Sequence, residues 1–241
     1  MHTLLSSTLK TLENLIQPKY CIFCMNRILA KDSLVICPNC RSKIKRDNPY
    51  SYANYGNYTY NNLIKKNFSK DETDILRVYY PFKYKGLIQD GLQRFKYNRE
   101  LGLLNYFSEE LYLFFKETIS INENIDFISY VPLHRKKLRE RGFNQAELLA
   151  KKLSKKTEIR LLKDLLHRKV YTPSQSKLSK EERRINMDSV FGVNLKYKNI
   201  IRNSKVLLID DIITTGSTTA ECTRELALLE ANTVVLAIAG G

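Results

Sequence analysis

Two constellations in this sequence have the residue types and spacing to do chemistry. The first is Val206-Leu-Leu-Ile-Asp210-Asp211-Ile-Ile-Thr214-Thr215-Gly216-Ser217-Thr218. Four apolar residues read as a buried strand that delivers two carboxylates to a sheet edge, and the small and hydroxylated residues after them lead into a helix. Gly216 and its small neighbours let backbone N–H groups close around a phosphate at the helix N-terminus, where the dipole favours an anion, and the threonine and serine hydroxyls add donors. Carboxylates just before such a loop accept hydrogen bonds from vicinal hydroxyls, which a ribose 5-phosphate presents at about that reach from its phosphate. Taken alone, Asp-Asp reads as a turn or capping pair and the Thr-Thr-Gly-Ser-Thr run as a helix cap. Their direct succession after an apolar strand makes the phosphate reading more specific. Neither the Gly-Lys-Ser/Thr of a P-loop nor the Gly-x-Gly-x-x-Gly of a dinucleotide fold accompanies them, which disfavours both.

The second constellation is Cys21-Ile-Phe-Cys24, twelve intervening residues, then Cys37-Pro-Asn-Cys40. Two Cys-x-x-Cys turns offer four thiolates to one tetrahedral Zn²⁺, and the spacer is long enough for a short hairpin that brings them together. Four protein ligands leave no open position for water, so the site is expected to be structural, in a module too small to fold on its own core. Two disulfides are the alternative, but no secretion signal points to an oxidising compartment. Phe23, Ile28, Leu34 and Ile36 are expected to pack around the metal. Arg41, Lys43, Lys45 and Arg46 follow as a basic tail that touches nucleic acid or keeps the module soluble. Cys222, alone in a helical stretch, reads as a small buried residue.

The elements that must position these groups alternate. Apolar or β-branched runs at 75–80, 127–131, 206–209 and 233–238 are separated by helical patterns such as Leu87, Ile88, Leu92, Phe95 and Phe143, Ala146, Leu149, Ala150, Leu153. Strands of this composition are buried on both faces, and their alternation with helices predicts an α/β fold with a parallel sheet, whose ligands sit at the carboxyl ends of the strands. The expected organisation is a zinc-binding module over 1–47 with an N-terminal helix, a Tyr/Asn-rich linker over 48–72 and an α/β domain over 73–241.

Composition narrows the partners. The chain has 241 residues, 43% hydrophobic, with 40 Lys+Arg against 25 Asp+Glu for a net charge of +15. That much apolar residue excludes disorder as the source of the charge. Residues 131–185 alone carry 17 basic and 6 acidic side chains. Lys151, Lys152, Lys155 and Lys156 share one helix face and read as a solvated surface, whereas the arginines of the block suit phosphate oxygens. The apolar stretch from Leu4 to Ile16 is interrupted by Lys10 and Glu13, so neither a membrane span nor a secretory signal is expected.

Asp210 to Thr218 resembles the phosphoribosyl pyrophosphate motif of type I phosphoribosyltransferases. Val131-Pro-Leu-His-Arg135 with Arg139 and Arg141-Gly-Phe-Asn-Gln145, then Ser174-Gln175 with Arg183-Arg184-Ile-Asn186, and the N-terminal four cysteines are similar to one branch of them, the ComF family of competence proteins. The resemblance covers nearly the whole chain. It implies a central parallel sheet of type I phosphoribosyltransferase type behind a small four-cysteine zinc ribbon, and a Mg²⁺-dependent site for phosphoribosyl pyrophosphate. In that site Thr214, Thr215, Gly216, Ser217 and Thr218 bind the 5-phosphate, and Asp210 and Asp211 the ribose hydroxyls. It further implies that a loop over 132–142 turns Arg135, Arg139, Arg141 and Gly142 toward the pyrophosphate, and that a flexible loop over 170–186 brings Gln175, Arg183 and Arg184 over the site. The role implied is DNA uptake in natural transformation, in the cytoplasm or at the inner face of the membrane through partners, with single-stranded DNA and a ComFA-type DNA-dependent ATPase as those partners. Two readings stay open. One is a phosphoribosyltransferase of unidentified acceptor; the other is a non-catalytic adaptor whose pocket senses a metabolite or a nucleic-acid end.

Overall fold

The computed structural model describes residues 19–28, 35–46, 77–97, 100, 102–169 and 190–241. The linker over 48–72, Leu34, and the loop residues Gln175, Arg183 and Arg184 lie outside them.

The N-terminal part is a knuckle followed by a helix. Strands β1 (Lys19–Tyr20) and β2 (Arg27–Ile28) pair antiparallel around Cys21 and Cys24. Cys37 caps helix α1 (Pro38–Lys43), its sulfur accepting from the Cys40 N–H. The second Cys-x-x-Cys is therefore the first turn of a helix, as Pro38 at its start favours.

Next come β3 (Arg77–Tyr79), β4 (Phe82–Lys83), α2 (Gly86–Tyr97), α3 (Gly102–Phe114), β5 (Phe127–Tyr130), α4 (Arg135–Arg141), α5 (Gln145–Thr157) and β6 (Arg160–Leu161). The chain continues through β7 (Leu166–Arg168), β8 (Phe191–Val193), β9 (Lys205–Ile213), α6 (Ser217–Ala227) and β10 (Asn232–Gly240). Among the described residues, β3, β10, β9, β5 and β6 form a parallel sheet in that order, with β4 also on β10, while β7 and β8 make a separate antiparallel pair.

The period of two along the central strands sorts the core into two layers. Leu207, Ile209, Val234, Leu236 and Ile238 face α2, α3 and α5, while Val206, Leu208, Val235 and Ala237 face Cys222 and Leu226 of α6. The expected parallel α/β sheet is thus observed, with two corrections. The strand expected to end at Ile209 runs on to Ile213, because Ile212 and Ile213 find partners in Ala239 and Gly240. The loop expected over 132–142 is largely helix α4: the His134 side chain accepts from the Lys136 N–H, and Gly142 ends the helix at φ 86°, where glycine alone is unstrained.

The four-cysteine module is not a detached satellite. Ile22, Ile28 and Ile36 belong to the same buried cluster as Leu92, Leu103 and Phe107. Two glycines make room for it: a Cβ on Gly91 would lie 3.1 Å from Phe23 and one on Gly102 2.5 Å from Val35. Half of the basic tail closes this junction. Arg46 donates to Glu110 at 2.8 Å and to Glu117 at 2.9 Å, and the Arg41 guanidinium lies 3.7 Å from Glu110 and over the Tyr106 ring.

The amino-terminal edge of the sheet is tied by Glu123. Its buried carboxylate receives Arg77 of β3, Lys205 of β9 at 2.8 Å and the Tyr79 hydroxyl at 3.3 Å. Burial works against ionisation, yet the bonds from Lys205 and Arg77 outweigh it and hold the carboxyl below its usual range. A carboxylate with a depressed folded value contributes stability above the unfolded value of about 4.3 and loses it as the pH falls through the folded one. Glu123→Gln is expected to cost about 3 kcal/mol at pH 7, the low end for removing one member of a buried pair because Arg77 and Lys205 can rehydrate. Denaturant melts at pH 7 and pH 3 check this, the difference between the two proteins shrinking at the lower pH.

Candidate functional site

Strand β9 carries Asp210 and Asp211 to the carboxyl edge of the sheet on opposite faces, as its alternation requires. Asp211 falls on the side of α2, where Lys96 in the last turn of that helix reaches its Oδ2 at 2.9 Å. Asp210 falls on the side of α6, close enough to Cys222 that its charge, after burial, helps push that thiol well above its ordinary value. The Asp210 carboxylate accepts from the Asp211 N–H at 2.8 Å. Burial, and then the charge of Asp211, push the Asp210 carboxyl up to about 7 against the opposing pull of Lys96.

Past β9, Thr214 and Thr215 are exposed and Gly216 turns the chain at φ 71° into α6. Among the described residues no side chain caps this helix, although two candidate caps are at hand: the Thr215 and Ser217 hydroxyls bond to one another at 3.1 Å, and Thr219 donates back to the Gly216 carbonyl at 2.9 Å. The first-turn N–H groups therefore face outward beside the aspartates. That arrangement suits an anion better than a closed cap.

The Arg-Gly-Phe-Asn-Gln string explains itself in contacts. Asn144 caps α5 by accepting from the Ala146 N–H, and its amide donates to the Val131 carbonyl at the end of β5. Gln145, fully buried, donates to the Phe95 carbonyl of α2 and accepts from Arg141 at 2.8 Å. Arg141 in turn lies over the Tyr97 ring at 5.5 Å. One buried amide thus fixes Arg141 against the same helix end that supplies Lys96.

Arg141 is the expected arginine that α4 turns inward, whereas Arg135 and Arg139, one turn apart, are exposed. Three cations join it that sequence reasoning passed over: Lys96, Lys137 and Arg168. Lys137 is pushed down by burial first, then by the charges of Arg168 and Arg141, with Lys96 adding to them. Arg168, packed on Phe191, is lowered by burial and supported by Glu221 of α6. A lysine depressed by cationic neighbours marks a place where positive charge is concentrated beyond what folding needs.

In the N-terminal module the sulfurs of Cys21, Cys24, Cys37 and Cys40 all lie within 4.8 Å of one another, with Cys24 and Cys37 at 3.6 Å. Zn–S bonds of about 2.3 Å in a tetrahedron require sulfurs roughly 3.8 Å apart, so the donor set fits zinc. Cys222, the fifth cysteine, is buried as expected.

The strand order, the alternation with helices and the four clustered cysteines define a parallel α/β protein carrying a four-cysteine module. Comparison with known proteins makes the assignment narrower. Competence protein F of Haemophilus influenzae is 31% identical over 217 residues, spanning 87% of this chain and 91% of its own. Competence protein ComFC of Bacillus subtilis is 26% identical over 198 residues, 79% of this chain and 77% of its own. The chain belongs to the competence protein F (ComF) family. A DNA utilization protein of Escherichia coli, YhgH, is 34% identical over 109 residues, 45% of this chain and 46% of its own. No family model matches. Among solved structures, adenine phosphoribosyltransferase of Saccharomyces cerevisiae overlays 58% of this chain and 71% of its own at 21% identity and a TM-score of 0.37. The same enzyme from Thermoanaerobacter pseudethanolicus overlays 59% and 83% at 13% identity and 0.38. The family assignment rests on the sequence identity.

Proposed function

We propose that this protein serves DNA uptake or utilization in natural competence and binds phosphoribosyl pyrophosphate in a Mg²⁺-dependent way at the end of β9. The observation that supports the binding site best is the opposition of two charge types across one sheet edge. Asp210 and Asp211 stand beside the open first turn of α6, and Lys96, Lys137, Arg141 and Arg168 gather next to them. A ligand with a phosphate, vicinal hydroxyls and a pyrophosphate needs those three surroundings in that succession. Thr214 to Thr218 take the 5-phosphate, the aspartates take the ribose hydroxyls, and the cation cluster takes the pyrophosphate. Mg²⁺, when bound, offsets the charge of the pyrophosphate.

The role in DNA uptake rests on the relatives named for competence and DNA utilization. Single-stranded DNA and a DNA-dependent ATPase of the competence machinery are the proposed partners, in the cytoplasm; among the described residues no helix is long and apolar enough to cross a membrane. The fit of the four sulfurs supports a structural zinc.

The test adds labelled phosphoribosyl pyrophosphate and Mg²⁺ to the protein, with and without cell extract. Calorimetric binding that disappears with chelation of Mg²⁺ is expected. Absence of binding at millimolar ligand overturns the site. Pyrophosphate release that depends on an extract component assigns a transferase and leads to its acceptor, whereas binding without release assigns an adaptor with a sensing pocket.

A further inference from the structure

The chain carries more positive charge than the ligand pocket uses, and the fold accounts for much of the rest in ion pairs. On α5, Lys151 is bound to Glu147 and Lys156 to Glu109, both at 2.5 Å. In the tail after the cysteines, Arg41 and Arg46 turn to Glu110 and Glu117. The two lysines of that tail do something else. Lys43 and Lys45, with Ile44 between them, line one side of a cleft of about 420 Å³, and Lys83 and Lys85 of the segment after β3 line it too.

All four lysines are exposed, and among the described residues no acidic side chain lines the cleft. Phe82 and Ile44 supply an apolar floor, and α2 begins at Gly86 on its rim, adding the positive end of a twelve-residue helix. The alternation that produces this is local. In each Lys-x-Lys segment the middle residue turns inward and the two ammonium groups stay out. Folding then sets two such pairs from opposite modules around one cleft. The junction itself is closed by Arg41, Arg46 and the apolar contacts.

We propose that this cleft between the four-cysteine module and the α/β domain holds the backbone of a single nucleic-acid strand. The inference rests on the reading of the chain as a partner of single-stranded DNA and says where that strand lies. A concave site with cations on its rim and an apolar floor complements a linear polyanion better than a flat anionic membrane does. Phe82, the aromatic residue in the floor, is 1% exposed and offers no face for stacking, so binding is independent of sequence. The cleft is also close to the phosphoribosyl site without being part of it: β4 pairs with the end of β10, whose other side pairs with the end of β9. Two strand spacings, about 10 Å, separate them.

The experiment measures binding of a fluorescein-labelled twenty-nucleotide oligo-dT by anisotropy at rising salt. With four phosphates neutralised, affinity is expected to fall about 50-fold between 50 and 200 mM salt, from a slope of about 0.7 per contact; Lys83→Gln with Lys85→Gln reduces that fall to about 7-fold. Lys83→Glu with Lys85→Glu is expected to lower affinity at 50 mM salt at least about tenfold, while its circular dichroism and its affinity for phosphoribosyl pyrophosphate stay unchanged. A duplex of the same length binds at least about tenfold more weakly. Undiminished oligonucleotide binding by the glutamate variant, loss of binding through Lys152→Glu with Lys155→Glu instead, or equal binding of the duplex each overturns the cleft while leaving the partner assignment intact. A glutamate variant that loses anionic vesicles and keeps the oligonucleotide does the same in favour of a lipid surface. No binding by the unsubstituted chain at 50 mM salt overturns the partner assignment and the cleft together, and unaltered binding of phosphoribosyl pyrophosphate keeps that site separate from either result.

Discussion

Asp210→Asn together with Asp211→Asn lowers the affinity for phosphoribosyl pyrophosphate at least about 100-fold and leaves the protein no less stable. Each carboxylate that accepts a ribose hydroxyl makes a charge-assisted hydrogen bond of about 1.5–3 kcal/mol, and two of them correspond to at least two powers of ten at 1.4 kcal/mol per decade. Asparagine keeps the shape and one acceptor oxygen but loses the charge. The stability half of the result follows from what the pair costs the fold. Asp210 is raised to about 7 by burial and by Asp211, so from this group alone stability is full below the unfolded value of about 3.9 and is lost as the pH rises through about 7. The double variant has no such slope. Calorimetry with Mg²⁺ and thermal melts between pH 5 and pH 8 check both halves. Unchanged affinity removes the site assignment; a collapse of stability means the pair is structural.

Lys96→Ala is the instructive contrast in the same assay. It leaves Asp211 with no ammonium at 2.9 Å and takes one cation from the pyrophosphate side. It therefore acts on both halves of the ligand, and its effect cannot add to that of the aspartate pair. Calorimetry on the single and combined variants reads that coupling directly.

What could be read from the chain and what could not divide along sequence distance. The Asp-Asp to Thr218 run and the two Cys-x-x-Cys turns each keep their partners within a short stretch, so composition and spacing suffice to find them. Lys96 is different. In Arg94-Phe95-Lys96-Tyr97 it looks like any solvated residue of a last helical turn, and only the packing of α2 beside β9 brings it to Asp211. Lys137 and Arg168 arrive in the same way, from a helix and a strand pair that meet through tertiary contacts. The corrected helix α4 had a local signal in Gly142, a residue suited to end a helix, which the reading as a loop passed over. The longer β9 had none, since Asp210 and Asp211 are poor strand formers and stay in the ladder because β10 continues beside them to Gly240. The attachment of the cysteine module depends on Gly91 and Gly102, and a small residue in a helix has too many causes to be read as an interface.

Stripping the metal from the cysteine module is expected to loosen the α/β domain as well as the module. The module's own scaffold is two strands of two residues and a helix of six, far short of what holds without a ligand. Its four sulfurs, crowded within 4.8 Å, cannot all carry charge unaided: burial, then the neighbouring cysteines, push Cys40 up to about 12. A bound zinc removes those protons and is worth on the order of 10 kcal/mol to such a module. Without it Ile22, Ile28 and Ile36 leave the cluster they share with Leu92, Leu103 and Phe107, and the faces of α2 and α3 that Gly91 and Gly102 keep bare for Phe23 and Val35 open to water. Burying such side chains is worth about 1.5–3 kcal/mol each, so the loss reaches helices that position Lys96. Protein purified without added metal is expected to hold one zinc per chain. Chelation, or Cys37→Ser, is expected to remove amide-exchange protection over 19–28 and 35–46, lower the melting temperature of the whole chain by roughly 10 °C and weaken phosphoribosyl pyrophosphate binding severalfold. Metal analysis that returns no zinc sinks the assignment. Zinc that can be removed while the melting temperature and the protection of α2 and α3 stay the same makes the module an independent unit, and the shared core a contact without energetic weight.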